Sequence, residues 1–174
     1  MNMQLAIIDL LRGMPRPLLR MLAGKPASID GNTLDLNMHM MAKLAARGAG
    51  DSEAPMSVDA FREAASAFNG LNLPVADGVT TSDTALPLLG NHLQARIYRP
   101  ATLSGPLPAV LFFHQGGLVI MDHLTDDHFC SLMAARCKAV VISLDYRLCP
   151  EHTFPAPIVD AEALWHHVQE NAAA

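Results

Sequence analysis

The sequence predicts an α/β fold in which helices cover both faces of a partly parallel sheet. Two nearly unbroken apolar runs, Ala109–Phe113 and residues 139–144, have the composition of parallel strands buried on both faces. The segment between them has the length and apolar stripe of a crossover helix, which completes a β-α-β unit. With 174 residues, 51% hydrophobic and 17% charged, the chain can bury one ordinary core.

Charge and hydropathy exclude several classes of partner. The net charge of −5 and the pI near 5.8 give no basic surface for a phosphate backbone or for anionic lipid. We therefore expect no nucleic-acid or membrane-surface partner, and a small neutral or apolar substrate fits better. No run reaches the roughly 18 apolar residues that a membrane span requires.

The first residues lack the layout of a secretory signal. No Lys or Arg precedes the apolar stretch, and Asp9 and Arg12 interrupt it. We therefore expect a cytoplasmic protein in which Cys130, Cys137 and Cys149 stay reduced as packed thiols.

Residues 1–47 are predicted to form a largely helical segment. Leu5, Ile8 and Leu11 begin one apolar stripe, and Pro15 and Pro17 should end that helix. A second stripe at helical spacing consists of Leu34, Met38, Met41 and Ala45.

Seven of the ten methionines lie in this first segment. Two uses fit them: lining an acyl-binding pocket, or filling irregular gaps in a core, which is the commoner use of Met. They are Met1, Met3, Met14, Met21, Met38, Met40 and Met41.

A linker and a short helix should occupy residues 48–72, so the core proper covers residues 73–174. Residues 48–57 are small and polar, and residues 58–68 have a helical pattern. Two strands, 80–89 and 92–98, then flank Gly90 and Asn91, a pair that suits the turn of an antiparallel hairpin. The segment 101–108 is predicted to be a loop.

Thr125 is predicted to cap the crossover helix, with Asp126 and Asp127 in its first turn at the positive end of the helix dipole. Pro157 suits the first residue of a final helix that carries Asp160 and Glu162 near its start. The predicted inward faces are Phe129, Leu132, Met133 and the stem of Arg136 in the first helix, and Ile158, Ala161, Trp165 and Val168 in the second.

The segment of greatest chemical interest is FFHQGGLVIMD, residues 112–122, where a buried strand gives way to a loop. Ligands of open α/β sheets bind at such carboxyl ends. Gly116 and Gly117 allow the backbone to approach a substrate and to turn N–H groups towards the oxyanion of an acyl-transfer intermediate. Ordinary turns also contain paired glycines, so this loop alone leaves both interpretations open.

A second motif, DYRLCPEHTFPAP, occupies residues 145–157 directly after the second parallel strand. Together with the H-x-G-G loop it resembles the hormone-sensitive-lipase family of α/β-hydrolases, whose pattern is a His-Gly-Gly-Gly loop followed by Asp-Tyr-Arg-Leu-Ala-Pro-Glu and a Phe-Pro-Ala stretch. The likeness runs from about residue 75 to the end, and residues 1–47 look like part of that family's cap. The resemblance implies the N-terminal half of an α/β-hydrolase sheet with a helical cap segment.

This resemblance also implies a carboxylic-ester hydrolase of the esterase or lipase type, acting on a small ester without a metal or organic cofactor. Gly116 and Gly117 would supply most of the oxyanion hole, and His114 would orient the loop. An Asp–Arg pair at such a turn is more often architectural than catalytic. The residues assigned to tying the turn below the site are Asp145, Tyr146, Arg147 and Glu151.

Two positions depart from the family pattern. Gln115 replaces its first glycine, so a positive φ at that position would strain the residue by about 1 to 2 kcal/mol. Cys149 replaces an alanine, which has little chemical meaning by itself.

No serine of the chain lies in G-x-S-x-G, the pattern of the nucleophile in an α/β-hydrolase. The catalytic Ser, acid and His are therefore expected beyond residue 174, and no catalytic residue within the chain. The alternative is a non-catalytic fragment that binds a ligand or a partner. Because Ala109–Phe113 should be an exposed apolar edge, self-association or pairing with the missing C-terminal half is also expected.

Two other sites were weighed. A local cluster of histidines and aspartates between residues 114 and 128 matches no zinc spacing, so a solvated loop is favoured over a metal site. Nothing near Cys149 lowers the pKa of its thiol visibly, which disfavours a cysteine nucleophile.

Overall fold

The computed structural model describes residues 10–11, 13–48, 56–66, 69 and 73–171. The chain divides into two compact units, Met1–Met56 and Ser57–Ala174. Elements of the first unit are α1 (Arg16–Ala23), β1 (Ser28–Ile29), β2 (Asn32–Thr33) and α2 (Leu36–Gly48).

Pro15 separates two helical stretches in the first unit. Leu10, Leu11 and Gly13 are helical, and that stretch ends before Pro15, as predicted. Pro15 is then the N-cap of α1, and Pro17 lies in its first turn, where its fixed φ is compatible with the helix. The two-stranded hairpin of β1 and β2 was not predicted from the sequence.

A helix forms where the second stripe predicts one, but α2 turns a face other than that of Met38 and Met41 inward. The Asp35 carboxylate accepts hydrogen bonds from the N–H groups of Asn37 (2.9 Å) and Met38 (3.3 Å), which fixes the start of the helix. Leu36 is therefore buried, whereas Met38 is exposed, as are Leu34 and Met41. Leu5, Ile8, Met1, Met3 and the side chain of Ala45 lie outside the described residues.

The small core of the first unit uses only some of its methionines. Met14 and Met40 pack against the buried residues, in keeping with gap filling, while Met21 remains 73% exposed. The buried residues are Leu11, Leu19, Ala23 and Leu36.

The second unit contains a mixed sheet, which confirms the α/β prediction. Its strands lie in the order β3-β4-β6-β5 in the part of the chain that the structure describes. The β5–β6 pair is parallel and the other two pairs are antiparallel, and β5 lies at an edge, as predicted. The strands are β3 (Val79–Leu88), β4 (Asn91–Pro100), β5 (Ala109–Phe113) and β6 (Val140–Leu144).

The β3–β4 hairpin forms as predicted, but its turn is Leu89-Gly90 rather than Gly90-Asn91. Leu88 pairs directly with Asn91, which leaves two residues in the turn. Both have positive φ, 54° for Leu89 and 74° for Gly90, as a type I′ turn requires. Asn91 is therefore the first residue of β4.

Helices of the second unit are α3 (Val58–Ser66), α4 (Asp127–Cys137) and α5 (Ala156–Glu170). Phe68, which the sequence placed in the first of them, lies outside the described residues. The crossover between β5 and β6 contains α4, as predicted.

The predicted cap of α4 is wrong, and its predicted inward face is confirmed only in part, since Met133 packs against the buried residues. Asp126 is the N-cap, and the Thr125 hydroxyl instead accepts a hydrogen bond from the N–H of Asp122 (3.1 Å). Phe129 is 50% exposed, and the buried residues of the helix are small. Small side chains let the helix backbone approach the sheet closely; they are Cys130, Ser131 and Ala134.

The inward face predicted for α5 is also confirmed only in part, since Val168 packs against the core. Ile158 and Trp165 are exposed, and the buried face carries Pro157, Asp160 and Leu164. The Asp160 carboxylate determines this rotation, because it accepts hydrogen bonds from the backbone N–H (2.9 Å) and the guanidinium (2.6–3.0 Å) of Arg147. A buried carboxylate needs such partners, so the face that carries it turns inward.

Both faces of β6 are covered, which explains its unbroken apolar run. Ile142 and Leu144 face one cluster with Leu164 of α5, and Val141 faces a second cluster with Cys130 of α4. Successive strand residues point to opposite faces, so every position needs an apolar or hydrogen-bonded side chain.

We expect Asp160→Ala to lower the free energy of unfolding by about 3 kcal/mol, because it leaves the Arg147 guanidinium and N–H without their acceptor. Urea denaturation of the purified chain measures the change. Glu162→Ala on the same helix removes an exposed pairing with His166 (3.9 Å) and should change stability by less than about 0.5 kcal/mol. Equal effects of the two substitutions would contradict this account.

Candidate active site

The loops that follow β5 and β6 meet at the carboxyl edge of the parallel pair. The Leu118 carbonyl accepts a hydrogen bond from the Cys149 N–H (2.8 Å). The Tyr146 hydroxyl donates to the His114 carbonyl (2.6 Å), and the two rings stack with centroids 4.3 Å apart. The glycine loop, residues 114–121, is therefore held against the start of the motif at 145–157.

A tight turn shapes the glycine loop. The N–H groups of Val119 and Ile120 both donate to the Gly116 carbonyl, each at 3.1 Å. Gly116 has φ of 128°, and a Cβ there would overlap the backbone carbonyl of Ile120. Gly117 has φ of 61° but open space around it. A side chain there would meet no neighbouring atom, and its only cost would be the strained backbone conformation. Position 116 is thus the stricter requirement for glycine.

The backbone N–H groups of Gly116 and Gly117 donate to no acceptor in the described part of the chain. Adjacent unpaired N–H groups on a loop at the carboxyl edge can bind an anion or a developing oxyanion. This geometry is compatible with the oxyanion role expected for the two glycines.

Gln115 is not strained, because its φ is not positive. The positive φ values of the loop fall on its two glycines, on Leu118 (64°) and on Met121 (75°). With its amide nitrogen towards Asp126, the Gln115 side chain donates to both carboxylate oxygens, at 2.9 and 3.2 Å. The residue therefore links the loop to the N-cap of α4.

His114 is buried and neutral at physiological pH. Burial lowers the pKa of its imidazole, although the Gln115 carbonyl and nearby carboxylates oppose the shift. Its Nδ1 lies 2.8 Å from the Gln115 carbonyl, so Nδ1 carries the proton and donates. Nε2 is buried without a partner in the described part of the chain. Burial also raises the pKa of Asp126, and the Gln115 hydrogen bond opposes that rise.

The charged side chains of the motif at 145–157 lie near oppositely charged or ionisable residues outside the motif. Arg147 pairs with Asp160, and Glu151 pairs with Arg62 of α3. Asp145 lies nearest His123, at 3.6 Å between Oδ1 and Nδ1. The structural role expected for these residues is compatible with such contacts, but sequence reasoning missed Arg62 and Asp160 as partners.

Three of the residues considered as metal ligands, Asp122, Asp127 and His128, bind other groups. Asp127 accepts hydrogen bonds from Tyr98 (2.9 Å) and Arg96 (3.1 Å), and His128 Nδ1 lies 2.6 Å from the Pro74 carbonyl. Asp122 accepts from the Leu124 N–H (2.8 Å). Among the described residues, no three His, Cys, Asp or Glu side chains converge as a metal site.

The cysteines differ in their surroundings, and the expectation of three packed thiols is wrong. Cys130 is fully buried, and desolvation raises the pKa of its thiol to about 12. Cys137 is exposed and Cys149 is half-buried, with Sγ 3.3 Å from the His152 carbonyl. None of the three forms a disulfide.

Comparison with known proteins identifies the fold. A family profile described as alpha/beta hydrolase fold matches residues 110–174, which include both site loops. The chain has the α/β-hydrolase fold. The hydrolase resemblance seen in the two motifs is therefore confirmed.

Two curated relatives of this chain are named as ester hydrolases. The chain is 34% identical over 168 residues to carboxylic ester hydrolase LipN of Mycobacterium tuberculosis, covering 92% of this chain and 43% of LipN. It is 40% identical over 100 residues to esterase LipI of the same organism, covering 56% of this chain and 31% of LipI. The chain thus spans less than half the length of these curated relatives.

Solved structures agree with the sequence relatives. A hyperthermophilic esterase from the archaeon Pyrobaculum calidifontis superposes with a TM-score of 0.66 at 33% identity, over 77% of this chain and 44% of that one. An ester-hydrolase from the metagenome of Lake Arreo, solved with a bipyridine phosphonate derivative, gives 0.69 at 31% identity, over 79% and 44%. Both comparisons support the α/β-hydrolase fold.

The buried His114 should make the chain less stable in acid. Its folded pKa is lowered, so below the unfolded value of about 6.5 the unfolded chain binds more protons. The stability contributed by the neutral ring is present above pH of about 6.5 and is lost as pH falls towards the lowered folded pKa. Urea denaturation from pH 8 to 5 should show a shallower pH dependence for His114→Asn than for the unchanged chain. His166→Asn, at an exposed position, is the control, and an equal slope change in both variants would contradict the prediction.

Proposed function

We propose that this chain forms the oxyanion-binding part of a serine-type carboxylic-ester hydrolase of the hormone-sensitive-lipase family. The observation that carries the proposal is the glycine loop, whose Gly116 and Gly117 N–H groups are unpaired within the described residues. The naming of the curated relatives as ester hydrolases supports the reaction class.

In the proposed mechanism, a serine outside these 174 residues attacks the ester carbonyl while a histidine accepts its proton. The carbonyl oxygen becomes an oxyanion and accepts hydrogen bonds from the N–H groups of Gly116 and Gly117. Each such donor lowers the barrier by roughly 3 to 4 kcal/mol. The alcohol leaves, and water then releases the acyl group. No step uses a metal or an organic cofactor.

The surroundings of the loop favour a small, uncharged ester. Leu118, Val119 and Ile120 follow the glycines, and each is partly buried. The Asp122 and Asp126 carboxylates near the same loop disfavour an anionic substrate. The exposed apolar side chains of the first unit support the proposal that residues 1–47 contribute to a cap segment.

A cytoplasmic location is proposed as well. Three unpaired cysteines, one of them exposed, suit a reducing compartment. Among the described helices, none is long and apolar enough to cross a membrane.

Turnover of p-nitrophenyl butyrate tests the proposed reaction. The chain alone should show no turnover that a serine-directed phosphonate inhibits. Fused to the C-terminal part of LipN that it does not match, it should hydrolyse the ester, and the phosphonate should stop the reaction. Gly116→Ala in the fusion should lower kcat by about 10²-fold to 10³-fold, because it displaces an oxyanion donor.

Gly105→Ala is the matched control for that substitution. Gly105 also has a positive φ, 80°, and open space around it, but it lies in the loop before β5. Its kcat should stay within about twofold of the parent fusion, since the oxyanion donors remain in place. A fusion that the phosphonate labels, but whose kcat Gly116→Ala leaves unchanged, would contradict the proposed role of the loop.

Self-association through β5 is a second part of the proposal. This strand lies at the edge of the described sheet, and Phe113 is 39% exposed there. Exposed apolar edges pair with other strands, so light scattering of the purified chain should show dimers or larger species. Phe113→Lys should shift them towards monomer, whereas Trp165→Lys, on an exposed face of α5, should not. A monodisperse monomer of the unchanged chain would refute this part.

A further inference from the structure

Arg62 of α3 connects both loops of the candidate site. Its Nε donates to the Val119 carbonyl and one terminal nitrogen donates to the Cys149 carbonyl, each at 2.8 Å. The same guanidinium forms a two-point pair with Glu151, at 2.8 and 2.7 Å. These four hydrogen bonds, each 2.7 or 2.8 Å long, fix the guanidinium in one orientation. Its planar group presents several N–H donors in fixed directions, so it can make them together.

These bonds complete a closed ring of contacts around the glycine loop. Arg62 holds the Val119 carbonyl, while the neighbouring Leu118 carbonyl accepts from the Cys149 N–H. The Cys149 carbonyl returns to Arg62. The carbonyls of Leu118, Val119 and Cys149 therefore all accept hydrogen bonds, and the glycine loop cannot rotate without breaking at least one of them.

The ring acts directly on the turn that carries the oxyanion donors. The Val119 N–H donates to the Gly116 carbonyl, so the peptide that Arg62 holds is adjacent to the one that closes the turn. Displacing Val119 would rotate the peptides at Gly116 and Gly117, whose N–H groups must converge on one oxygen. If Arg62 contributed only a stabilising ion pair, Glu151 would be a sufficient partner. Its two further bonds, to the Val119 and Cys149 carbonyls, fix the geometry of the loops.

Glu151 keeps this ion pair charged across the neutral pH range. The Arg62 hydrogen bond lowers the pKa of Glu151 to about 2. The carboxylate is therefore ionised across the neutral range and holds the plane of the guanidinium.

We infer that Arg62 is a positioning residue, which sets the directions of the Gly116 and Gly117 N–H groups through its hydrogen bonds to Val119 and Cys149. Its effect on catalysis rests on the proposed ester hydrolysis, whereas its effect on the two N–H groups does not.

Four substitutions separate positioning from stability. Arg62→Met removes all four hydrogen bonds. Arg62→Lys keeps the charge but loses the planar guanidinium that donates to several acceptors at once. Glu151→Gln weakens the ion pair but leaves both carbonyl contacts in place. Arg96→Met is the control, because Arg96 forms a comparable two-point pair with Asp83, at 2.6 and 2.7 Å, on β4.

The first measurement is nuclear magnetic resonance of the ¹⁵N-labelled 174-residue chain, without a fusion partner. Arg62→Met and Arg62→Lys should shift the Gly116 and Gly117 amide signals. They should also speed hydrogen exchange at the Val119 and Ile120 N–H groups, which close the turn, by about tenfold or more, because local opening then breaks fewer bonds. Glu151→Gln should produce a smaller shift, and Arg96→Met none at the two glycine amides. Unchanged glycine amides in a folded Arg62→Lys variant would overturn the inference.

The second measurement is kinetics of the fusion with the C-terminal part of LipN. Arg62→Lys should lower kcat by about tenfold to 100-fold with little change in KM, since misplaced donors fail mainly in the transition state. A folded Arg62→Lys fusion with unchanged kcat, in a parent sensitive to Gly116→Ala, would overturn the inference and leave the proposed function standing. If Arg62→Lys shifts the glycine amide signals but the parent fusion shows no turnover, the positioning role is supported and the proposed ester hydrolysis is contradicted.

Discussion

The parallel pairing of β5 with β6 is the constraint on which the candidate site depends. Phe113 and Leu144 are paired in register at the ends of their strands, so the two following loops begin side by side. Parallel strands need a crossover between them, and α4 supplies it. The His114–Tyr146 stack is a direct result, because each ring belongs to the first or second residue after its strand.

Much of this frame could be predicted from the sequence, because the signals for it are local. Unbroken apolar runs indicated strands covered on both faces, and paired glycines after a strand indicated a loop with free N–H groups. The helix faces could not be predicted in the same way. Hydropathy favoured Trp165 and Phe129, whereas the residues that face inward include Asp160 and Ser131, whose partners lie elsewhere in the chain.

The supports of the site were missed for the same physical reason. Arg62 occurs in a short helix whose pattern resembles that of any solvated helix, and its partners follow far along the chain. Gln115 was assessed only for backbone strain, because the approach of Asp126 depends on how α4 begins. Side-chain partners across tertiary structure leave little trace in residue spacing, whereas a glycine required by backbone geometry does.

The separation between Arg62 and Glu151, 89 positions, also has a consequence for how the molecule is made. During synthesis α3 leaves the ribosome well before the strands and the residues that it contacts. Closing so long a segment costs chain entropy that only the completed sheet can offset, so α3 docks late. The glycine loop consequently acquires its final shape only after β6 has joined the sheet, and a nascent chain remains without a formed candidate site until then.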